Sequence, residues 1–138
     1  MDTNRDMGAI NERVIRQFRD GGEIEGMHRE RLLLLTTTGR TSGEDHTTPM
    51  MFHREPERLL VVAANMGATA DPHWYLNLVA HPHVLVEVGD AVFRATAVPL
   101  VGEDRDRTWR MLKESYSFFA EYDENVDREI PVVALIER

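Results

Sequence analysis

The stretch RLLLLTTTGRTSGEDHTTPMMFH, residues 31–53, decides the fold. It divides into an apolar run at 31–38, a turn cluster at 39–43 and a second β-rich run at 47–53, which is the pattern of two strands joined by a turn. The four leucines of the first run do not alternate with polar residues, so we expect that strand to be buried on both faces. The sequence therefore predicts a sheet with packing layers on both of its sides.

The rest of the chain predicts a small barrel. Four further strands are expected at 59–64, 84–88, 91–99 and 131–136, and Gly89-Asp90 marks a hairpin between the middle two. Helical spacing of apolar residues predicts an N-terminal helix at 7–20, a short inserted helix at 72–80 that Asp71 caps, and a helix at 103–120. We predict a mostly β (α+β) fold, a split β-barrel of about six strands, as one domain over 1–138 with an N-terminal helical segment at 1–25 and the barrel at 31–138.

Composition excludes several classes of function. A chain of 138 residues with 42% hydrophobic content supports one buried core. The formal charge of −8 argues against a nucleic-acid partner, and the absence of cysteine excludes disulfides, thiolate metal sites and thiol nucleophiles. No apolar run approaches the roughly 20 residues of a membrane span, and the charged N-terminus is unlike a secretory signal. We therefore expect a cytoplasmic protein with no integral membrane segment.

Two glycine-containing turns could bind an anion. The first is Gly39-Arg-Thr-Ser-Gly43, and the second, Gly67-Ala-Thr-Ala, leads into the helix that Asp71 begins. Small residues let backbone N–H groups approach a ligand, and a helix N-terminus favours negative charge. Each motif on its own is better explained without a ligand, the first as a hairpin turn and the second as a capped helix.

Other polar and aromatic residues leave alternatives open. The six histidines show no zinc-ligand spacing, so we expect no metal site, although a single axial histidine for haem remains possible. Tyr116, Phe119 and Tyr122 are spaced by three. They either pack onto the barrel or form a wall over a ring system, with a phenol that supplies or orients a proton.

Six motifs in consistent order carry a resemblance to a known family. They are LLTTTGRTSG at 34–43, Thr48-Pro49, VVAA at 61–64, DPHWYLNL at 71–78, His81-Pro82 and DREIP at 127–131. Together they resemble the deazaflavin-dependent nitroreductases, also called the coenzyme F420-dependent quinone reductases. The similarity runs from about residue 31 to residue 136.

The resemblance implies a split β-barrel oxidoreductase that transfers a hydride from reduced F420 to a small molecule, namely a quinone, a nitroaromatic or an activated alkene. It also implies a possible homodimer. Tyr116 and Tyr122 become the catalytic candidates, in an aromatic trio with Phe119 over the substrate pocket. The candidates for the cofactor's phosphate and tail are Arg40, Thr41, Ser42, His46, Asn65, Met66, Gly67 and Ala68. The candidates around its ring are Pro49, Met51, Ala63, Ala64, Trp74 and Asn77.

The chain departs from the family pattern where cations are common. Thr41, His46 and Met66 stand at positions where family members often carry Lys or Arg, and Phe119 replaces a Tyr. FMN, which has a compact phosphate and no polyglutamate tail, is therefore the alternative cofactor. Two further alternatives are a split-barrel enzyme that uses haem or no redox cofactor in biosynthesis or detoxification, and a non-catalytic small-molecule-binding protein.

Overall fold

The computed structural model of the protein describes residues 3–24 and 27–138, without the side chains of residues 3–7 and of Met66. Within these ranges the chain forms seven strands and four helices. The strands are β1 (Leu32–Thr38), β2 (Asp45–Met51), β3 (His53–Arg54), β4 (Leu59–Val62), β5 (His83–Val88), β6 (Ala91–Pro99) and β7 (Val132–Glu137). The helices are α1 (Thr3–Asp20), α2 (His73–Ala80), α3 (Gly102–Ser115) and α4 (Ser117–Asn125), and short 3-10 turns lie at Arg29–Arg31 and Asn65–Gly67.

The seven strands form one antiparallel sheet that curls into a half-barrel. Their order is β2-β1-β5-β6-β7-β4-β3, so β2 and β3 stand at opposite edges. Only Phe52 separates these two strands in sequence, which means that the sheet must bend until its edges meet. The Phe52 ring is buried among the side chains of the barrel interior. The predicted split-barrel fold is confirmed.

Strand β1 is buried on both faces, as its leucine run predicts. Leu33 and Leu35 point into the barrel interior. Leu32 and Leu34 pack on the opposite side with residues of α1, including Val14 and Phe18. The apolar stripe of α1 therefore covers the outer face of the first strand.

A second helical layer covers the outer face of β4 and β7. Leu60, Val132 and Ala134 from these strands pack with Trp109 and Leu112 of α3 and with Phe119 of α4. This layer places the aromatic residues of α4 next to the strand edge at which the barrel closes.

The single helix predicted at 103–120 is wrong. The helix is interrupted at Tyr116, whose backbone is extended at φ −134 and ψ 96. The Trp109 and Phe119 ring centroids lie 5.6 Å apart, whereas ten residues of a straight helix rise about 15 Å. The break lets both rings enter the same core cluster, and α4 then continues to Asn125, beyond the predicted end.

Three smaller corrections concern strand and helix ends. A seventh strand, His53–Arg54, was not predicted, because His53 was assigned to the end of the strand expected at 47–53. Helix α1 begins at Thr3 rather than at residue 7. The N-cap position of α2 belongs to Pro72, and no side chain caps this helix. The Asp71 carboxylate is not a cap, because it accepts a hydrogen bond from Arg128 instead.

Candidate functional site

The turn at 39–43 is closed by its own backbone. The Gly39 N–H donates to the Glu44 carbonyl at 2.7 Å, and the Gly43 N–H donates to the Gly39 carbonyl at 2.9 Å. A Cβ atom on Gly39 would lie 2.4 Å from Ser42 Oγ and 2.9 Å from His46 Nε2. A side chain at position 39 would therefore have to displace the Ser42 hydroxyl and the His46 ring, which fold back over the backbone.

Arg40 connects this turn to α2. Its backbone N–H and its Nη1 both donate to Asn77 Oδ1, at 3.1 and 2.9 Å, and its Nη2 lies 3.2 Å from His73 Nδ1. The buried Asn77 amide donates in turn to Thr37 Oγ1 at 3.3 Å. Asn77 therefore holds the Arg40 guanidinium in place, and its role beside the cofactor ring stays a prediction.

A groove of about 690 Å³ lies between the turn, β2 and α2. Six of the predicted cofactor residues line it, namely Arg40, Thr41, Ser42, His46, Trp74 and Asn77. Its lining also contains Asp45, Thr47, Thr48 and His73, which the sequence motifs did not nominate for the cofactor site. The alternation of side chains along β2 was the signal that could have found Thr48, because it shares a strand face with His46.

A second set of predicted residues lies in the loop between β4 and α2, outside the lining of this groove. Ala63, Ala64, Asn65, Gly67 and Ala68 belong to this set, and the side chain of Met66 lies outside the described part of the chain. Asn65 has a left-handed backbone at φ 49, and its Nδ2 donates to the Ala70 carbonyl at 3.0 Å.

Arg128 holds this loop through hydrogen bonds. Its guanidinium donates to the carbonyls of Ala63, Ala64 and Ala68 and to Asp71 Oδ1, over distances of 2.5 to 3.2 Å. Sequence reasoning placed Arg128 in a family motif without giving it a role. The hydrogen-bond partners of a single arginine in a coil segment cannot be predicted from the sequence around it.

The two catalytic candidates lie in different surroundings. Tyr116 lines a small cavity of about 70 Å³ beside the barrel, together with Phe119 and the predicted ring residue Met51. Tyr122 packs instead against the 63–71 loop. Its ring approaches Gly67 so closely that a Cβ atom there would lie 3.0 Å from Tyr122 Cδ1. Phe118 lies between them, with ring centroids 6.0 Å from Tyr116 and 6.1 Å from Tyr122.

The remaining ring candidate, Pro49, pairs with Leu34 in the register of β1 and β2. It does not belong to the lining of the groove or of the cavity. The predicted ring residues are thus divided between the groove, the cavity, the loop and the strand that connects them.

Ionisable groups beside the site respond to burial and to charge. Burial raises the pKa of the Tyr75 phenol on α2, and the carboxylates of Asp71 and Glu129 raise it further.

Among the described residues, no group of three or more His, Asp or Glu side chains is arranged to hold a metal ion. No helix in the described ranges is long and apolar enough to span a membrane.

Comparisons with known proteins agree on one family. The sequence model of the F420H(2)-dependent quinone reductases matches residues 10–137. An F420H(2)-dependent quinone reductase of Mycobacterium tuberculosis strain H37Rv is 37% identical over 109 residues, which cover 77% of this chain and 73% of that protein.

Two solved structures extend this agreement to the fold. An F420-H2 dependent reductase is 38% identical with a TM-score of 0.70, over 80% of this chain and 99% of that one. A structure described as a domain-swapped dimer is 34% identical with a TM-score of 0.72, over 96% of this chain and 99% of that one.

Proposed function

The chain belongs to the F420H(2)-dependent quinone reductase family, and from this premise we propose that it reduces small quinones or related acceptors with coenzyme F420 bound in the groove beside Arg40. The observation that carries the proposal is the contact between Arg40 and Asn77. It joins the turn at 39–43 to α2 and places one guanidinium on the wall of a groove large enough for part of a cofactor.

The chemistry of the groove fits an anionic, oxygen-rich ligand. Its lining carries the Arg40 guanidinium, the imidazoles of His46 and His73, and the hydroxyl groups of Thr41, Ser42, Thr47 and Thr48. Asp45 is the carboxylate in this lining. Hydroxyl groups and a guanidinium donate well to phosphate and carboxylate oxygens. The replacement of family cations by Thr41 and His46 therefore lowers the positive charge of the groove and leaves its donor character in place.

Bound reduced deazaflavin supplies a hydride, and the acceptor must also take up a proton to complete its reduction. The protein's part is to orient the acceptor and to stabilise the negative charge that develops on its oxygen. Tyr116 is suited to this task, because it lines a cavity whose other described residues, apart from His53, are apolar. Tyr122 supports the site by packing against Gly67 in the 63–71 loop. In this proposal Tyr116 meets the acceptor and Tyr122 shapes the loop beside it.

The test is a turnover assay of the purified protein with reduced F420 and a soluble quinone, followed by the return of oxidised-cofactor absorbance. We expect turnover in the wild type, weaker cofactor binding in Arg40→Met, and a lower kcat with unchanged cofactor affinity in Tyr116→Phe. Absence of both cofactor binding and turnover would refute the proposal. Purification of a yellow protein that retains FMN would replace F420 with the alternative cofactor.

We propose two further properties of the same enzyme. The protein forms a homodimer, supported by its similarity to a structure described as a domain-swapped dimer, and light scattering after gel filtration tests this. We also propose that the enzyme acts in the cytoplasm, which fractionation of cells that express the tagged protein would test. A monomer at micromolar concentration would contradict the first, and recovery outside the cytoplasmic fraction would contradict the second.

A further inference from the structure

A histidine on β3 is hydrogen-bonded to the proposed catalytic tyrosine. His53 Nδ1 lies 2.9 Å from the Tyr116 hydroxyl, and the two rings meet edge to face with centroids 5.8 Å apart. Both side chains are partly buried and both line the 70 Å³ cavity. The other described residues of this lining are Met, Phe, Leu and Val. His53 and Tyr116 are therefore the two polar side chains in an otherwise apolar lining.

The hydrogen bond is not needed to build the helix break that Tyr116 occupies. The Tyr116 N–H already donates to the Leu112 carbonyl at 2.9 Å, and the Tyr116 carbonyl accepts from the Phe119 N–H at 3.0 Å. The Tyr116 ring also packs against Phe118 and Phe119, at centroid distances of 6.0 and 5.7 Å. Backbone bonds and ring packing thus fix the chain and the ring, and His53 fixes the direction of the hydroxyl.

The proton on His53 decides what this hydroxyl can offer. A tyrosine hydroxyl donates one hydrogen bond and accepts others, and a neutral histidine carries its proton on Nδ1 or on Nε2. If Nδ1 accepts, the hydroxyl's only proton points at the histidine. If Nδ1–H donates, the hydroxyl's proton is directed to a ligand in the cavity. A carbonyl or hydroquinone oxygen that gains negative charge requires the second arrangement.

We propose that His53 is a positioning residue for Tyr116, and that its Nδ1–H turns the Tyr116 hydroxyl into a hydrogen-bond donor toward the oxygen of the acceptor. This inference rests on the proposed function, because it assigns the acceptor's oxygen to the cavity wall. It names a residue outside the motifs that identify the family. It also defines the substrate class as one with a carbonyl-type oxygen next to a small apolar group, since the cavity is only about 70 Å³ in volume.

Four variants test the kinetic consequence. His53→Leu removes the hydrogen bond, Tyr116→Phe removes the hydroxyl, the double variant removes both, and His53→Asn keeps an amide N–H near the position of Nδ1. We expect each single loss to lower kcat by about tenfold, with the KM for quinone and the affinity for reduced F420 within about twofold of wild type. The double variant should be no slower than the slower single variant, and His53→Asn should recover most of the rate. Independent, multiplicative losses, or a wild-type rate in His53→Leu, would overturn the inference.

A second measurement does not depend on turnover. Nitrogen NMR of the histidine side chains reports which ring nitrogen of His53 carries the proton. Titration with quinone should shift the His53 Nδ1 signal toward the protonated form in wild type and should leave it unchanged in Tyr116→Phe. A shift of equal size in both proteins, or none in wild type, would overturn the positioning role. Wild type that binds quinone with this shift but never oxidises reduced F420 would instead refute the proposed function alone.

Discussion

Replacing Arg128 is the sharpest perturbation of the loop beside the site. The Arg128 side chain is 15% exposed and makes five hydrogen bonds, four to the carbonyls of Ala63, Ala64 and Ala68 and one to Asp71. Arg128→Met keeps much of the apolar stem and removes every donor. The three carbonyls and the carboxylate, which is 30% exposed, are then left for water to satisfy.

The structure sets the size of the expected effect. Hydrogen bonds to charged groups contribute about 1.5 to 3 kcal/mol each but are not additive in a cluster. Breaking a buried ion pair costs about 3 to 5 kcal/mol, and the partial exposure of both partners favours the low end. We therefore expect Arg128→Met to lose about 3 kcal/mol, or roughly 10 °C in Tm for a chain of this length. Thermal and urea unfolding followed by circular dichroism measure both quantities.

Arg107→Met is the matched control for Arg128→Met. Arg107 is 76% exposed and pairs with Asp104 at 3.0 Å on the surface of α3, so its loss should cost less than about 1 kcal/mol. Arg128→Lys should fall between the two, because lysine keeps the charge and loses the planar fork. If Arg128→Met unfolds within 1 kcal/mol of the control, the loop is not held by Arg128 and this account of it is wrong.

Three further predictions concern the loop, the surface charges and the groove. Gly67 has φ 79 and a Cβ there would lie 3.0 Å from Tyr122, so Gly67→Ala should cost about 1 to 2 kcal/mol in urea unfolding; an unchanged midpoint would contradict the left-handed backbone. The hydrogen bond from Arg58 lowers the pKa of Asp104, so the pair stabilises the fold above about pH 4, and this contribution is lost as the pH falls through the depressed pKa. The Tm difference between wild type and Asp104→Asn should therefore shrink below about pH 4, and a difference that does not vary with pH would refute the assignment. Asn77→Leu leaves the buried Thr37 hydroxyl and the part-buried Arg40 donors without their partner and should cost about 2 kcal/mol in thermal unfolding. It should also weaken binding of reduced F420. Unchanged affinity would show that Asn77 does not position Arg40 for binding of the cofactor.

The sequence predicted the features that depend on local pattern. The leucine run of β1 correctly indicated burial on two faces, and Gly89-Asp90 correctly marked the β5–β6 hairpin. The motifs at 34–43 and 71–78 correctly indicated the family. These features follow from residue type and spacing alone, and the division into a single domain remains a prediction of the same kind.

Features that depend on distant contacts were missed or misplaced. The break at Tyr116 follows from the demand that Trp109 and Phe119 share one core cluster, which no helical periodicity reveals. The sequence divided the predicted cofactor residues into a tail group and a ring group, whereas the structure distributes them over the groove at Arg40, the loop held by Arg128, the cavity at Met51 and strand β2, and their roles remain predictions. Three-dimensional proximity of this kind depends on the curl of the sheet. No single segment of the sequence predicts that curl.

The central claim is that the groove beside Arg40 binds reduced F420. Fluorescence or absorbance titration of the wild type, of Arg40→Met and of the control Arg107→Met tests it most directly. We predict saturable binding in the micromolar range for the wild type and the control, and affinity at least about tenfold weaker for Arg40→Met, the loss expected for one charge-assisted contact. No binding by the wild type at tens of micromolar, or equal affinity in all three proteins, would contradict the claim.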